Sequence, residues 1–578
     1  MRRFLFLMAA LVAAICVLTG LTLPPRRITV APFDDGTVPG VLHIHTNRSD
    51  GRGTPDEVAA AAARAGLKFI VFTDHGDGTR QPDPPTYRSG VLCLDGVEIS
   101  TSGGHYIALD MPPSPYPLAG EPGDVAQDVR RLGGFGIAAH PDSPKSELRW
   151  ADWDAPIDGV EWVNPDTSWR VLRIGGVSRF RIFAGVLQYQ ARPAETLANL
   201  LTDISEPISR WNAIAARRNI VAISGVDAHA NLALRNTDPV ETRFAFPLPS
   251  YEASFRMLSV HLTPALPLSG DAAADGAIVM RAIRAGHLYT AIDGVASAPS
   301  FEFSASNAGG TARQGDELRA DGPVSLRVRS NAPPGFTTII WRGSEILASA
   351  PSHERTELTA QADGAPAVYR AEVRSSDPEH PRNWLLSNGI YVRGAEAAPT
   401  GQTTRAEPPP SSTLPLFDGQ TEAGWHVETD ASSKAAMEVA KTLDAAELRV
   451  RFAIAGTDVG DERAALVWGT PIGHAPVNVA DYDRLTFTAR AERPMRISVQ
   501  FRTANIGGTM RRWQRSVFLD TVDEQRTIAF SDLTPSDGSA EADPPLDQIS
   551  QILFVVDTVN TTPGTAGRFW VKNPELRK

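Results

Sequence analysis

GVLHIHTNRSDGRGTPDEVAAAAARAGLKFIVFTDH, residues 40–75, decides how the rest of the chain is read. Val41, His43 and His45 alternate with Leu42 and Ile44, a period of two that predicts a strand with both imidazoles on one face. Two histidines aimed at one point can share a metal. Ser49-Asp50-Gly51 then predicts a turn that adds a carboxylate. Thr54-Pro55-Asp56-Glu57 predicts a helix start, with Thr54 as N-cap, Pro55 at the first helical position and Glu57 closing a capping box; Gly66 ends the helix. Leu67 to Thr73 is too short and too rich in β-branched and aromatic residues for a second helix, so it predicts a buried strand that delivers Asp74 and His75 at its C-terminal end. The unit is β-α-β with candidate metal ligands at the strand tips.

The same form recurs downstream. Val91 to Val97 brings up Glu98, and the Ser102-Gly103-Gly104 turn presents His105 at the head of the strand Tyr106 to Leu109. A helix around Val125 to Leu132 leads through Gly133-Gly134 into Phe135 to Ala139, tipped by His140. Ile157 to Val163 carries Glu161 near its end, helices are expected over Ala194 to Leu201 and Ile208 to Arg218, and Ile220 to Val226 ends in Asp227-Ala228-His229. Ligand candidates gathered at the ends of successive strands imply an α/β barrel. Of the 12 histidines in the chain, the first six in sequence all lie at such a strand end or in the turn beside it. With Asp50, Glu98 and Asp227 interleaved, neutral imidazole and carboxylate suit zinc, manganese or iron, and the set is too large for a single ion. Two to three divalent metal ions are expected.

HIHTNRSDG, TDH, the Glu98 to His105 segment, AAHP and GVDAHA together resemble the successive motifs of the PHP family, named for domains of bacterial polymerases and histidinol phosphatase. The resemblance covers about 250 residues. It implies a distorted (β/α)7 barrel holding three metals, often used to cleave phosphoesters. It implies one metal at His43, His45, Glu98 and Asp227, a second at Glu98, His105 and His140, and a third at Asp50, His75 and His229. Glu98, Asp227 and His229 are expected to serve catalysis as well as metal binding. An export signal and trailing β domains are closest in layout to the exported branch that includes a carbamate hydrolase.

The remainder of the chain frames this centre. The formal net charge of −11 offers phosphate backbones no general attraction, so no nucleic-acid partner is expected. Cys16 and Cys93 are the only cysteines, which argues against disulfides and cysteine-based zinc sites. Met1-Arg2-Arg3 precedes about twenty mostly apolar residues, Phe4 to Leu23, enough at roughly 1.5 Å per residue to cross a hydrocarbon core of about 30 Å. Residues 1–27 are therefore read as a signal peptide or an N-terminal membrane anchor. The anchor is favoured because cleavage after the small residue Ala14 would leave an apolar new terminus. An exported protein, periplasmic or extracellular and anchored to the inner membrane, is the expectation.

Residues 36–297 are assigned to the barrel and 300–394, where Val324, Leu326 and Val328 alternate with polar neighbours, to a β-sandwich. Residues 395–415, rich in Ala, Thr and Pro, form a linker, and 416–578 a jelly-roll domain of carbohydrate-binding type. Trp150, Trp153, Trp162 and Trp169 either wall a pocket or pack the core. Arg48, Arg52, Arg80, Lys145 and Arg149 either grip a phosphate or face solvent. Trp425, Trp468 and Trp513 either stack on sugars or pack.

The leading functional expectation is an extracytoplasmic, metal-dependent phosphoester hydrolase of small-molecule substrates with a metal-bridged hydroxide as nucleophile. The alternatives are a carbamate or carboxylic ester hydrolase with the same site, and a non-catalytic surface carbohydrate-binding protein.

Overall fold

The computed structural model describes residues 23–174, 178–233, 245–352, 356–376, 382–394, 412–441, 446–456, 462–469, 479–503, 510–536 and 543–578, with isolated residues before 23. Most of the expected N-terminal segment and residues 395–411 of the expected linker lie outside the described residues. The expectation of a membrane-spanning anchor is corrected. Among the described residues no helix is long and apolar enough to cross a membrane.

Seven strands close into a barrel: β1 (Val38–Ile44), β2 (Phe69–Phe72), β3 (Val91–Thr101), β4 (Gly104–Leu109), β5 (Phe135–Ala138), β6 (Gly159–Val163) and β7 (Val221–Ala228). They pair in that order, and β7 returns to β1 through Leu42 opposite Gly225 and Ile44 opposite Ala228. Apolar runs such as Phe69–Phe72 are buried at every position, as a strand covered on both faces requires. Leu42, Phe69, Val71, Leu92, Leu94, Ile107, Phe135, Ile137, Val221 and Ile223 share one apolar core.

The closed barrel is not a regular alternation of strand and helix. Helix α1 (Pro55–Ala65) joins β1 to β2 with the expected capping box at Thr54 and Glu57 and a left-handed Gly66. Helix α2 (Pro122–Arg131) joins β4 to β5, and α3 (Pro165–Ile174), α4 (Ser178–Tyr189), α5 (Pro193–Leu200) and α6 (Ser205–Ala215) lie between β6 and β7. The β2–β3 and β5–β6 connections carry no helix. Between β3 and β4 there is only a tight turn, because these strands are antiparallel, as are β4 and β5, and antiparallel neighbours need no crossover. Gly104, the first residue of β4 after that turn, has φ +108, and a Cβ there would lie 2.6 Å from the Arg149 carbonyl oxygen. Helix α3 holds the last residue of the tryptophan-rich stretch, Trp169, and α4 follows it; no helix was expected at either place. Trp150 and Trp162, earlier in that stretch, are core residues, each 1% exposed.

The described chain falls into two compact units. One comprises residues 1–112 and 125–398, the other 113–124 and 399–578. In the first unit β8 (Ser259–Leu262) pairs with β1, β9 (Leu288–Ala291) pairs with β8, and Asn383–Ser387 pairs with β9. Residues 300–394 thus continue the barrel's own sheet and add a four-stranded sheet around Phe301–Asn307 and Val324–Ser330. The second unit is a sandwich of two six-stranded antiparallel sheets, with Leu448 and Phe569 of one sheet and Leu466, Val499 and Phe554 of the other in a common core. Trp425 and Trp513 belong to this core and so pack rather than stack on sugars, while Trp468 is partly buried against it.

Candidate metal centre

The site stands where β1, β3, β5 and β7 bring their polar residues together. Here the backbone is bent out of regular extension: His43 (φ 62), His140 (φ 28), Asp227 (φ 46) and Ala230 (φ 50) all adopt left-handed angles despite carrying side chains. Such positions are stored strain of about 1–3 kcal/mol each, held by surrounding structure, and they collect at functional sites. The β1 ladder slips register between Val41 and Ile44, so His43 sits on an irregularity and still aims its ring at the same point as His45. Glu98 does not end its strand as expected. It lies within the eleven-residue β3, opposite Ile107 in the half that pairs with β4, just past the change of partner from β2 at Asp95–Gly96.

All nine expected ligands meet. Glu98 Oε1 lies 2.9 Å from both His105 Nδ1 and His140 Nε2, and Glu98 Oε2 lies 3.2 Å from His43 Nε2, 3.1 Å from His45 Nε2 and 3.4 Å from His75 Nδ1. Asp227 Oδ1 is 3.4 Å from His43 Nε2 and 3.5 Å from His45 Nε2. Asp50 is 3.3 Å from His229 Nε2 and 3.6 Å from His75 Nε2. Four groupings have ligand atoms within 4.8 Å of one another: His45-Asp50-His75-His229, His43-His140-Asp227, His43-His45-Glu98 and His75-Glu98-His105. These partitions overlap the expected three but add His45 to the Asp50 trio and place His75 also beside Glu98 and His105.

A test of fit comes from His45. Its ring is fully buried and its nitrogens face carboxylates, Nε2 at 3.1 Å from Glu98 Oε2 and Nδ1 at 3.5 Å from Asp50 Oδ1, and among the described residues neither contact has hydrogen-bond geometry. A buried imidazole ringed by carboxylates without an aligned hydrogen bond is satisfied when a cation between them takes its lone pair. The residues present fit divalent metals.

Electrostatics agree. Burial pushes Glu98 upward, but the His43 ring and hydrogen bonds from His105 and His140 hold it well below the usual carboxylate range; Asp227 is depressed in the same way by His43 and His45. Burial opposes charge on the rings too, yet Glu98 beside His140 raises it to about 9 and Asp50 beside His229 raises it to about 10. Without metal, the carboxylates keep their charge and these imidazoles keep their protons.

A supporting layer fixes the ligands, as metal sites require. Glu161 on β6, 1% exposed, binds His43 Nδ1 at 2.8 Å, accepts the His140 N–H at 2.6 Å and accepts from Asn164 Nδ2 at 2.9 Å. Asn164 also donates to Asp227 Oδ2 at 3.2 Å. The Leu148 carbonyl lies 3.0 Å from His140 Nδ1 and the Asp227 carbonyl 3.0 Å from His229 Nδ1, so Nε2 of each ring is left for the centre. Asp74 accepts from the Thr46 N–H, Thr46 Oγ1 and Ser49 Oγ, each at 2.7 Å, and so pins the turn that carries Asp50. The Tyr251 hydroxyl donates to the His45 carbonyl at 2.8 Å. Sequence reasoning placed Glu161 and Asp74 at their strand ends but gave neither a supporting role, and missed Asn164. The signal available was the carboxylate beside a ligand, as in Thr73-Asp74-His75.

Comparison with known proteins gives partial likenesses. No family model matches the chain. An uncharacterised protein of Methanocaldococcus jannaschii is 29% identical over 137 residues, 21% of this chain and 80% of that protein. A 3′,5′-nucleoside bisphosphate phosphatase of Chromobacterium violaceum is 36% identical over 84 residues, 14% of this chain, and the match spans only 30% of the phosphatase. Among solved structures, a family 11 carbohydrate-binding module of Clostridium thermocellum matches at 18% identity and TM-score 0.23, over 28% of this chain and 95% of the module. A family 30 module from Clostridium thermocellum matches at 11% identity and TM-score 0.23, over 29% of this chain and 98% of the module.

Proposed function

We propose that the barrel is a metal-dependent hydrolase of phosphoesters, of the PHP type, acting on small molecules after export from the cytoplasm. The observation that carries this reading is the convergence of nine candidate ligands, with the buried His45 ring 3.1 Å from Glu98 and 3.5 Å from both Asp50 and Asp227. The stretch shared with the bisphosphate phosphatase supports phosphoesters as the substrate class. Export rests on the basic start and apolar run of residues 1–23.

Divalent cations held by the nine ligands would polarise phosphoryl oxygens and acidify water. The chain's own residues provide the arrangement. Glu161 and Asn164 fix His43, His140 and Asp227 in one geometry, Asp74 fixes the Asp50 turn, and burial of His43, His45, Glu98 and Asp227 lowers the local dielectric in which charge on the ester is stabilised. Glu98, which belongs to two of the four ligand groupings, and Asp227 and His229, each in one of the others, are the residues we assign to catalysis as well as to metal binding.

Hydrolysis of carboxylic or carbamate esters at the same centre is the second reading, and one observation favours it. Four of the five cations that could have gripped a phosphate have partners elsewhere: Arg48 and Arg80 with Asp83 and Asp95, Lys145 with Glu147, and Arg149 with the Ser143 carbonyl. Full-length protein loaded with manganese or zinc and offered phosphomonoesters, nucleoside bisphosphates, phosphodiesters and aryl carbamates separates the two. Turnover of phosphoesters is expected, and turnover of carbamates alone would overturn the proposal.

A further inference from the structure

The candidate ligands are not equally enclosed. The side chains of His43, His45, Glu98, Asp227 and His140 are at most 5% exposed, whereas Asp50 is 19%, His229 25% and His75 33% exposed. The three exposed ligands share one grouping with His45. Glu161 and Asn164 bond to His43, His140 and Asp227, which are inner ligands. The outer grouping is held by other means.

Its support centres on a phenol. Tyr251, 8% exposed, opens the short helix Tyr251–Phe255 behind Ser250, whose hydroxyl accepts the Ala253 N–H at 3.3 Å and whose own N–H donates to the Tyr189 hydroxyl at 2.8 Å. The Tyr251 hydroxyl accepts the Gly53 N–H at 3.2 Å and lies 2.8 Å from the His45 carbonyl and 3.0 Å from the His229 carbonyl. A phenol has one proton to give, so the two carbonyls share it. One oxygen thus joins three separate stretches of chain: the strand end with His45, the turn with Asp50 and the turn with His229. Gly53 permits this approach, since a Cβ there would lie 2.8 Å from Tyr251 Cε2. The two turns are also bonded to each other, the Arg52 N–H to the His229 carbonyl at 2.9 Å and Asn231 Nδ2 to the Asp50 carbonyl at 3.0 Å.

We infer that Tyr251 is the positioning residue of the outer grouping, His45-Asp50-His75-His229, and that the cation held there is gained and lost separately from those held by the inner ligands. The inference rests on the metal reading above. Tyr251 acts through the main chain of His45 and His229, whose spacing its hydroxyl sets, and is itself no ligand. The exposure of Asp50, His75 and His229 lets water replace the protein as a cation departs, and burial denies this to the inner ligands.

The test compares full-length wild type, Tyr251→Phe, Asn231→Ala and Glu161→Gln, each loaded with manganese and dialysed stepwise against a weak chelator, with metal per chain read by elemental analysis. Wild type should release one ion before the rest. In Tyr251→Phe the free manganese concentration at which that ion leaves should rise about ten- to hundredfold, the usual cost of losing support behind a metal ligand, with later release unmoved. Asn231→Ala should move the same step by less, and it decides the matter if Tyr251→Phe does not fold. Glu161→Gln should move the later release. Excess manganese should return the turnover of Tyr251→Phe to near the wild-type rate, which a general loss of packing would not allow. Release of all ions together in wild type, a first step unmoved in the folded outer variants, or all steps shifted alike in Tyr251→Phe would overturn the inference. Stepwise release with only the first step moved by Tyr251→Phe, in a protein that hydrolyses carbamates alone, would support the role of Tyr251 and overturn the phosphoester reading.

Discussion

Two buried clusters of charge in this molecule look alike in composition and differ in chemistry. In the barrel, Glu98, Asp227 and Asp50 are surrounded by imidazoles. In the C-terminal unit, Glu447, 1% exposed, is held by Arg490 at 2.9 Å and Lys572 at 3.4 Å, and Asp523 joins the same two cations at 2.7 and 2.6 Å. Arg490 also lies 4.5 Å over the Trp570 ring. A guanidinium never gives up its proton in a protein, so Arg490 offers no lone pair of its own and stays a permanent counter-charge to Glu447 and Asp523. An imidazole can release a proton and present a lone pair. The lesson is that burying a carboxylate says little about function; what decides is whether its partners can become ligands.

The comparison breaks most directly at its two central glutamates. Glu98→Gln should lower the metal content by at least one ion per chain and turnover by roughly hundredfold or more, the scale of losing a main electrostatic group. Glu447→Gln should leave both unchanged; elemental analysis and steady-state rates of the two variants side by side check this. Next in size is Glu161→Gln, which keeps the shape but weakens the hold on His43 and His140. A loss of about 10–100-fold in metal affinity is expected by titration against a colorimetric chelator.

The pH response sharpens the contrast further. In the metal-free site His140 and His229 are raised to about 9 and 10, so at neutral pH a cation must displace their protons. Apparent affinity should therefore climb with pH, about tenfold per unit for each proton displaced, and level off above those values. An affinity flat from pH 6 to 8 would show that imidazoles are not the ligands. The smallest effect is expected at Gly225. A Cβ there would stand 1.5 Å from Glu161 Oε1 and 2.8 Å from the His43 Cβ, so Gly225→Ala must push Glu161 aside. A destabilisation of about 1–3 kcal/mol by denaturant titration is expected, along with weaker metal binding.

Much of the site could be read from the sequence because its ligands are chemically rare residues placed at strand ends, where a two-residue period and a following turn locate them. Helix α1 was equally legible, since Thr54, Pro55, Glu57 and Gly66 mark both of its ends. Three features were not. Helices α3 and α4 escaped because Trp169 and the arginines around it obscure the helical period. The β3–β4 hairpin changes the barrel from parallel to antiparallel through pairing, which a strand's own residues do not encode. Asn164 escaped because its role depends on Asp227, 63 positions away, and the place of 113–124 in the C-terminal unit depends on Arg496 and Arg515, which lie far beyond any sequence window.

The seam at which β7 meets β1 has a kinetic meaning. His43 and His45 enter the site from the first barrel strand, while Asp227 and His229 come from the last strand and the turn after it, so the ligand set spans nearly the whole barrel sequence. No local fragment holds more than part of it. Closing so long a loop is entropically slow and must precede most of the contacts that reward it. Metal capture by the full set is therefore expected late in folding. A cation that binds only the closed barrel acts as a latch, slowing reopening of the seam more than it speeds the search for it.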